Sequence, residues 1–496
     1  MTHAARARVM FLGACLVAGC KGMGPDFTPP HEPVPEQYAG VAHPAAAPGA
    51  PRPDAESAPG SFWWQEFHDA ELNRLEELTV AGNLDLKAAY LRLVEARIQV
   101  QSARAQGLPS LNGMASFNRE QLGLAGILKS QGISTGPTTA ASTQALIGAL
   151  EQPVNIYQLG FDASWELDLF GRVRRSVEAA KAQSVEAAEA RNDLLVSTEA
   201  EVAQTYFQLR AAQVLRAITQ NLIADQRSVV ELTINRHQFG LAGEADVESA
   251  RAQLSSLQSQ LPPYEETLAA SRHALAVLTG QAPEALDAEF AGSGELPPLP
   301  AVVPVGVPAQ LARRRPDIRD AEAALHAATA EVGVSVASLF PDVALSGTFG
   351  LRNLGTRYLF DWASHFYTAG GTVSIPIFRG GALVSSVRLS RAAAAEAALN
   401  YRKTVLVALQ EVEDGLANLE NDSLRSAALR DTVDADQRAL DVQLDAYRHG
   451  LVTYITVLTQ QLQTVQARQQ FAESTSTQAT DLVKLYKALG GGWESP

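Results

Sequence analysis

The chain has 496 residues, enough for a large core or several domains, and its 40 basic against 54 acidic side chains give a net charge of −14. That sign argues against a nucleic-acid partner, whose phosphates require clustered Lys and Arg. Cys15 and Cys20 are its only cysteines, which excludes a disulfide scaffold or a thiolate metal site beyond residue 20.

At the N-terminus, Arg6 and Arg8 precede an apolar run from Val9 to Val17, which leads into Val17-Ala18-Gly19-Cys20. A membrane-spanning helix needs about 20 apolar residues, so the run reads as a secretory signal over residues 1–19. Small residues directly before a cysteine have the form of a bacterial lipoprotein cleavage box, with Cys20 as the lipidated first residue. An ordinary signal with an incidental cysteine is the alternative. Two or more acyl chains anchor stably, and Lys21, where an Asp would favour retention in the inner membrane, leans to the outer membrane. This covalent lipid is the only attached group expected; no cofactor or metal is. Residues 20–60 are rich in Pro, Ala and Gly, among them Pro25, Pro29, Pro30, Pro33 and Pro35, and read as an extended tether.

The body reads as an internal duplication. Gly160 matches Gly370, Gly171 matches Gly381, Glu201-Val202 matches Glu411-Val412 and Gly240-Leu241 matches Gly450-Leu451, all at an offset of 210 residues. Upstream the offset becomes 232, pairing Asp85-Leu86 with Asp317-Ile318 and Pro109 with Pro341. The difference falls in Gly123 to Gln152, a longer loop in the first copy. The first repeat then covers residues 61–280, a linker 281–312, the second repeat 313–490, and a tail 491–496.

Each copy has the same order of elements. A helix (Leu86 to Gln106; Ile318 to Leu339) stops before a proline. Two alternating strands follow, within 111–169 in the first copy and 343–378 in the second. Leu111, Phe117, Tyr157, Leu159, Phe161 and Trp165 share one face with Asn112, Asn118, Gln158, Asp162 and Glu166 opposite. In the second copy Val343, Leu345, Phe349, Tyr367 and Val373 alternate with Ser346, Thr348, Arg352, Thr368 and Thr372. Period-two alternation over this length is that of a membrane-crossing strand, apolar to lipid and polar to the lumen. Proline-free helices follow, Arg172 to Gln238 and Ala382 to Arg448, each 67 residues and so about 100 Å long. Apolar positions such as Leu215, Ile218, Leu222, Val229 and Leu232, and later Val433, Leu440 and Tyr447, recur at coiled-coil spacing. Gly240 and Gly450 end these helices, and return helices run Glu244 to Thr279 and Ile455 to Leu489, completing helical hairpins 172–280 and 382–489. Four strands cannot close a membrane barrel and open edges are not tolerated in lipid. The expected fold is therefore mainly α with membrane β, and the chain must oligomerise; three copies would give twelve strands and twelve helical lanes.

The chain resembles the TolC-like outer-membrane factor family, and more narrowly its lipoprotein branch serving resistance–nodulation–division (RND) efflux systems. The resemblance rests on Cys20 with Gly24-Pro25-Asp26-Phe27, Phe62-Trp63-Trp64-Gln65 with Leu72-Asn73, and Trp165-Glu166-Leu167-Asp168-Leu169-Phe170-Gly171-Arg172. It continues in Leu261-Pro262-Pro263, Arg314-Arg315-Pro316-Asp317-Ile318-Arg319 and Pro376-Ile377-Phe378. It implies a homotrimer with a 12-stranded β-barrel in the outer membrane and a long α-helical barrel in the periplasm, the lipid-anchored outer-membrane channel of a tripartite efflux pump. A periplasmic adaptor (membrane fusion) protein and an inner-membrane RND-type pump would be its partners. An outer-membrane duct for type I protein secretion is the alternative. No enzymatic motif is present: the histidines are scattered and there is no His-Glu-x-x-His, Gly-x-Ser-x-Gly or phosphate loop.

The resemblance also implies a gate at the helix tips. In the family, a carboxylate at the first tip bonds a tyrosine of the second, and two carboxylates at the second tip ring the constriction. Asp246 and Tyr447 occupy the first pair of positions; Thr456 and Thr459 stand where the ring carboxylates would be. Asp246 has a second reading, stabilisation of a helix N-terminus through the dipole.

Overall fold

The computed structural model describes residues 22–42, 51–121, 130 and 152–493. The signal, Cys20 and nearly all of the loop Gly123 to Gln152 lie outside the described residues. The chain divides into two compact units. One comprises residues up to Thr28 with Arg97–Ala182 and His326–Ala395; the other comprises Pro29–Ala96, Gln183–Leu325 and Glu396–Pro496.

The elements in chain order are β1 (Arg52–Asp54), α1 (Ala70–Gly82), α2 (Leu84–Ala105), β2 (Ser110–Glu120), β3 (Val154–Leu167) and α3 (Arg172–Gln238). Then come α4 (Glu244–Gln258), α5 (Leu261–Leu278), β4 (Val302–Pro304), α6 (Pro308–Arg314), α7 (Pro316–Ala337), β5 (Asp342–Asn353), β6 (His365–Ser374), α8 (Ala382–Arg448) and α9 (Tyr454–Ala488). Helices α3 and α8 are each 67 residues, with the bounds the sequence predicts.

In the first unit, β2-β3-β5-β6 form one antiparallel sheet of four strands, with β2 and β6 as open edges. The register puts Phe117 opposite Tyr157 and Phe161 opposite Phe349, so the predicted apolar set shares one face. Leu111, Phe117, Phe161, Phe349, Tyr367 and Val373 on that face are all exposed. Opposite, the polar set bonds across strands: Asn112 Nδ2 donates to Asp162 Oδ2 at 3.2 Å, and Arg352 Nε donates to Gln158 Oε1 at 2.9 Å. Strand β6 ends at Ser374, short of the predicted Ile377, because Pro376 cannot donate to a ladder. No described helix is long and apolar enough to cross a membrane.

The second unit holds the large core. Val405, Ala408, Val412, Leu416 and Leu419 place one face of α8 in it, and Leu482, Val483 and Tyr486 one face of α9. Each large buried side chain stabilises by about 1.5–3 kcal/mol. Trp63 stacks on Tyr486 with ring centroids 5.2 Å apart, and Phe67 packs on Phe207 at 4.9 Å.

The structure departs from the sequence in the first return helix and in the tether. The first return helix is not continuous: it breaks at Ser259-Gln260, and α5 starts with Pro262 and Pro263 in its first turn, where missing N–H groups are tolerated. The second copy lacks those prolines and its return helix α9 is unbroken over 35 residues. The tether is not simply extended: Tyr38 is buried in the core, and the backbone N–H groups of Ala39 and Gly40 donate to Glu413. Finally, the tether and the mid-chain linker meet, with β1 pairing in parallel with β4.

Candidate functional site

Two places carry the features by which such a chain could act: the segment after Cys20 and the tips of the helical hairpins. In the first unit, the residues after the cysteine are fixed to the body. Arg175, itself buried, donates from Nη2 to Asp26 Oδ1 at 2.6 Å, from Nη1 to Glu178 Oε2 at 2.8 Å and from Nε to the Met23 carbonyl at 3.1 Å. Phe27 stacks on His326 at 4.3 Å between centroids, and His326 Nε2 lies 3.2 Å from Glu178 Oε1. Gly24 has φ +93°, and a Cβ there would sit 2.6 Å from the Gly333 Cα, so only glycine fits. The Gly24-Pro25-Asp26-Phe27 motif thus has a mechanical role that sequence reasoning left unread.

At the tips, α3 and α8 close alike. Gly240 N–H donates to His237 O at 2.9 Å and Leu241 N–H to Arg236 O at 2.8 Å; Gly450 and Leu451 do the same to Tyr447 O and Ala446 O, each at 2.9 Å. These are paired glycine caps, with φ +71° at Gly240 and +73° at Gly450. Beneath them Tyr447, Tyr454, Val229, Val230 and Val457 form a separate small core.

The structure does not form the expected bond between Asp246 and Tyr447. Asp246 lies in the first turn of α4, and its Oδ2 accepts from the Gly243 N–H at 3.1 Å. That is the cap reading, with the carboxylate also facing the positive end of the helix. The Tyr447 hydroxyl is buried and has no hydrogen-bond partner among the described residues. What holds Tyr447 is Arg236, a residue the sequence reading missed. Its guanidinium lies 4.5 Å from the Tyr447 ring centroid, and its Nη1 donates to the Tyr447 carbonyl at 2.8 Å. Thr459, exposed, donates to Ile455 O at 2.9 Å, and Thr456 Oγ1 lies 3.3 Å from Thr453 Oγ1. Both ring-position hydroxyls therefore have partners within their own chain.

Deeper in the second unit lie two carboxyls that lack, among the described residues, hydrogen-bond partners for most of their oxygens. Glu76 has neither oxygen paired, and Glu199 Oε2 is unpaired. Burial drives the Glu199 pKa up to about 9; burial, then the neighbouring Glu199 charge, holds Glu76 well above the usual carboxylate range.

Compared with known proteins, residues 76–281 and 307–491 match the model of the outer membrane efflux protein family. The probable efflux pump outer membrane protein TtgC of Pseudomonas putida is 31% identical over 482 residues, 97% of this chain and 94% of that protein. The outer membrane protein OprJ of Pseudomonas aeruginosa is 29% identical over 485 residues, 97% of this chain and 94% of that one. Among solved structures, the outer-membrane channel OprN superposes with a TM-score of 0.83 at 30% identity, covering 95% of this chain and 99% of that one. The CmeC channel of Campylobacter jejuni gives 0.83 at 22% identity over 96% of each chain, a likeness of fold alone. The chain belongs to the outer membrane efflux protein family. It is an outer-membrane channel component of an efflux pump, with the duplicated fold of that family. Its alternating strands are accordingly the membrane-crossing part, which accounts for aromatic and aliphatic side chains left exposed on one sheet face.

Proposed function

We propose that three copies of this chain, each lipidated on Cys20, form the passive exit duct of a tripartite pump that expels small molecules. The observation that carries the reading is the sheet: four strands of membrane-crossing length with one apolar face and two unpaired edges. In lipid those edges must be paired, and three sheets end to end supply twelve strands, an allowed number for a closed barrel. The partners in this reading are a periplasmic adaptor and an inner-membrane RND-type pump, and the duct itself has no catalytic role. Phe239, Leu241, Leu451 and Ile455 leave both tips exposed and apolar, a surface suited to a protein partner. The lipid is an auxiliary anchor, because the barrel spans the membrane by itself and the segment after Cys20 is held by Arg175.

The tips are the gate in this reading. Arg236 and Tyr447 join the two hairpins, Asp246 shapes the start of α4, and Thr456 and Thr459 leave the constriction without an acidic ring. Deleting the gene should raise sensitivity to exported compounds, and a plasmid copy carrying Cys20→Ser should restore export. Mass spectrometry of the purified protein should find acyl chains on Cys20. An unmodified cysteine would remove the lipid from the account and leave the duct standing.

A further inference from the structure

A cleft of about 710 Å³ opens in the second unit between α3, α8, α9 and the segment after α5. Ile218, Leu296 and Leu299 give it an apolar wall, and Arg430 of α8 and Arg468 of α9 belong to the same lining. The buried arginines of this chain, Arg175 and Arg315, are matched by Asp26 with Glu178 and by Asp317 with Glu411; in the cleft Arg430 is exposed and Arg468 half-buried. Arg430 and Arg468 make no ion pair among the described residues. Arg430 lies over the Phe471 ring, 5.7 Å from its centroid, and Arg468 donates to the Gln437 side-chain oxygen. The one carboxylate of the lining, Glu295, pairs with neither. At the lining, Gln478 Nε2 donates to Ser423 Oγ at 2.9 Å and Ser423 Oγ to Leu419 O at 2.7 Å, so these groups are satisfied and do not compete for an anion.

We propose that this cleft binds a small organic anion with an aromatic or branched apolar body, one per chain. A carboxylate or sulfonate takes the planar fork of an arginine in two parallel hydrogen bonds. The body of the ligand displaces water from Ile218, Leu296 and Leu299, and the cleft is of ordinary ligand-pocket size. An inorganic anion would leave that wall wet. An apolar cation would meet two like charges.

The test is calorimetric titration of the full-length protein in a nonionic detergent with 2-naphthoate, 2-naphthylmethylammonium and acetate. Saturable binding of 2-naphthoate at one per chain is expected, with neither of the other two binding measurably. Arg430→Gln and Arg468→Gln should each weaken 2-naphthoate about tenfold or more, the scale of one hydrogen bond to a charged group, and the double variant should abolish it. Arg468→Lys, which keeps the charge, should retain part of the affinity and confirms that loss in the Gln variants is electrostatic. The proposal is overturned if the ammonium compound binds as well as 2-naphthoate, if a correctly assembled double variant keeps wild-type affinity, or if no saturable binding occurs.

Discussion

At the residue scale, the sharpest chemistry lies in Glu199 and Glu76. Folding raises the Glu199 pKa from 4.5 to about 9 through burial, so the folded chain prefers the neutral carboxyl. Stability from this source is complete below about pH 4.5 and is lost progressively as pH rises towards 9. At pH 7 the cost is about 3 kcal/mol per chain. Glu199→Gln should therefore raise Tm at pH 8 and flatten the rise in Tm expected on acidification from pH 9 to 5. A Tm that falls equally at both pH values would show that Glu199 is ionised and paired in the folded protein. The proposed gate follows the same logic. The Tyr447 hydroxyl has no partner among the described residues, so Tyr447→Phe should leave single-channel conductance in planar bilayers unchanged. Arg236→Ala removes a cation–π contact of about 0.5–2 kcal/mol and a hydrogen bond, and should raise it. Thr459→Asp would restore a carboxylate near the tip and should increase block by multivalent cations.

At the element scale, the duplication extends to single hydrogen bonds. Asn83 Nδ2 donates to Leu278 O at 2.9 Å and Arg315 Nη1 donates to Ala488 O at 2.9 Å; both acceptors end return helices of the two copies. A neutral amide in one copy and a charged fork in the other do the same capping work. The glycine caps differ in their surroundings. Nothing approaches a Cβ built on Gly240, whereas one on Gly490 would lie 3.1 Å from the Arg314 carbonyl. Gly240→Ala should cost about 1 kcal/mol for its positive φ alone, and Gly490→Ala clearly more, measurable as a larger drop in Tm. These elements were legible in the sequence because proline-free length, period-two strands and terminal glycines are local signals. The break before α5 was legible too, in Leu261-Pro262-Pro263, but the repeat pattern favoured a continuous helix. The docking of Tyr38 and the pairing of β1 with β4 depend on residues hundreds of positions apart and leave no periodic trace. The same holds for Arg236: an arginine in the last turn of a long helix reads as a solvated charge until the second hairpin is placed beside it.

At the scale of the whole molecule, the chain is incomplete by itself. Its sheet ends in unpaired strands β2 and β6, and beyond β6 Ile377 and Phe378 are almost fully exposed. A lone copy would expose backbone donors and acceptors to hydrocarbon, at several kcal/mol for each unsatisfied group. That cost, rather than any single side chain, makes assembly obligatory for insertion. The most direct test is native mass spectrometry of the complex extracted from outer membranes in nonionic detergent. One species of three chains is expected, each lighter than the 52.9 kDa of the full sequence by the signal and heavier by its acyl groups. A folded monomer or dimer in that membrane fraction would contradict that expectation.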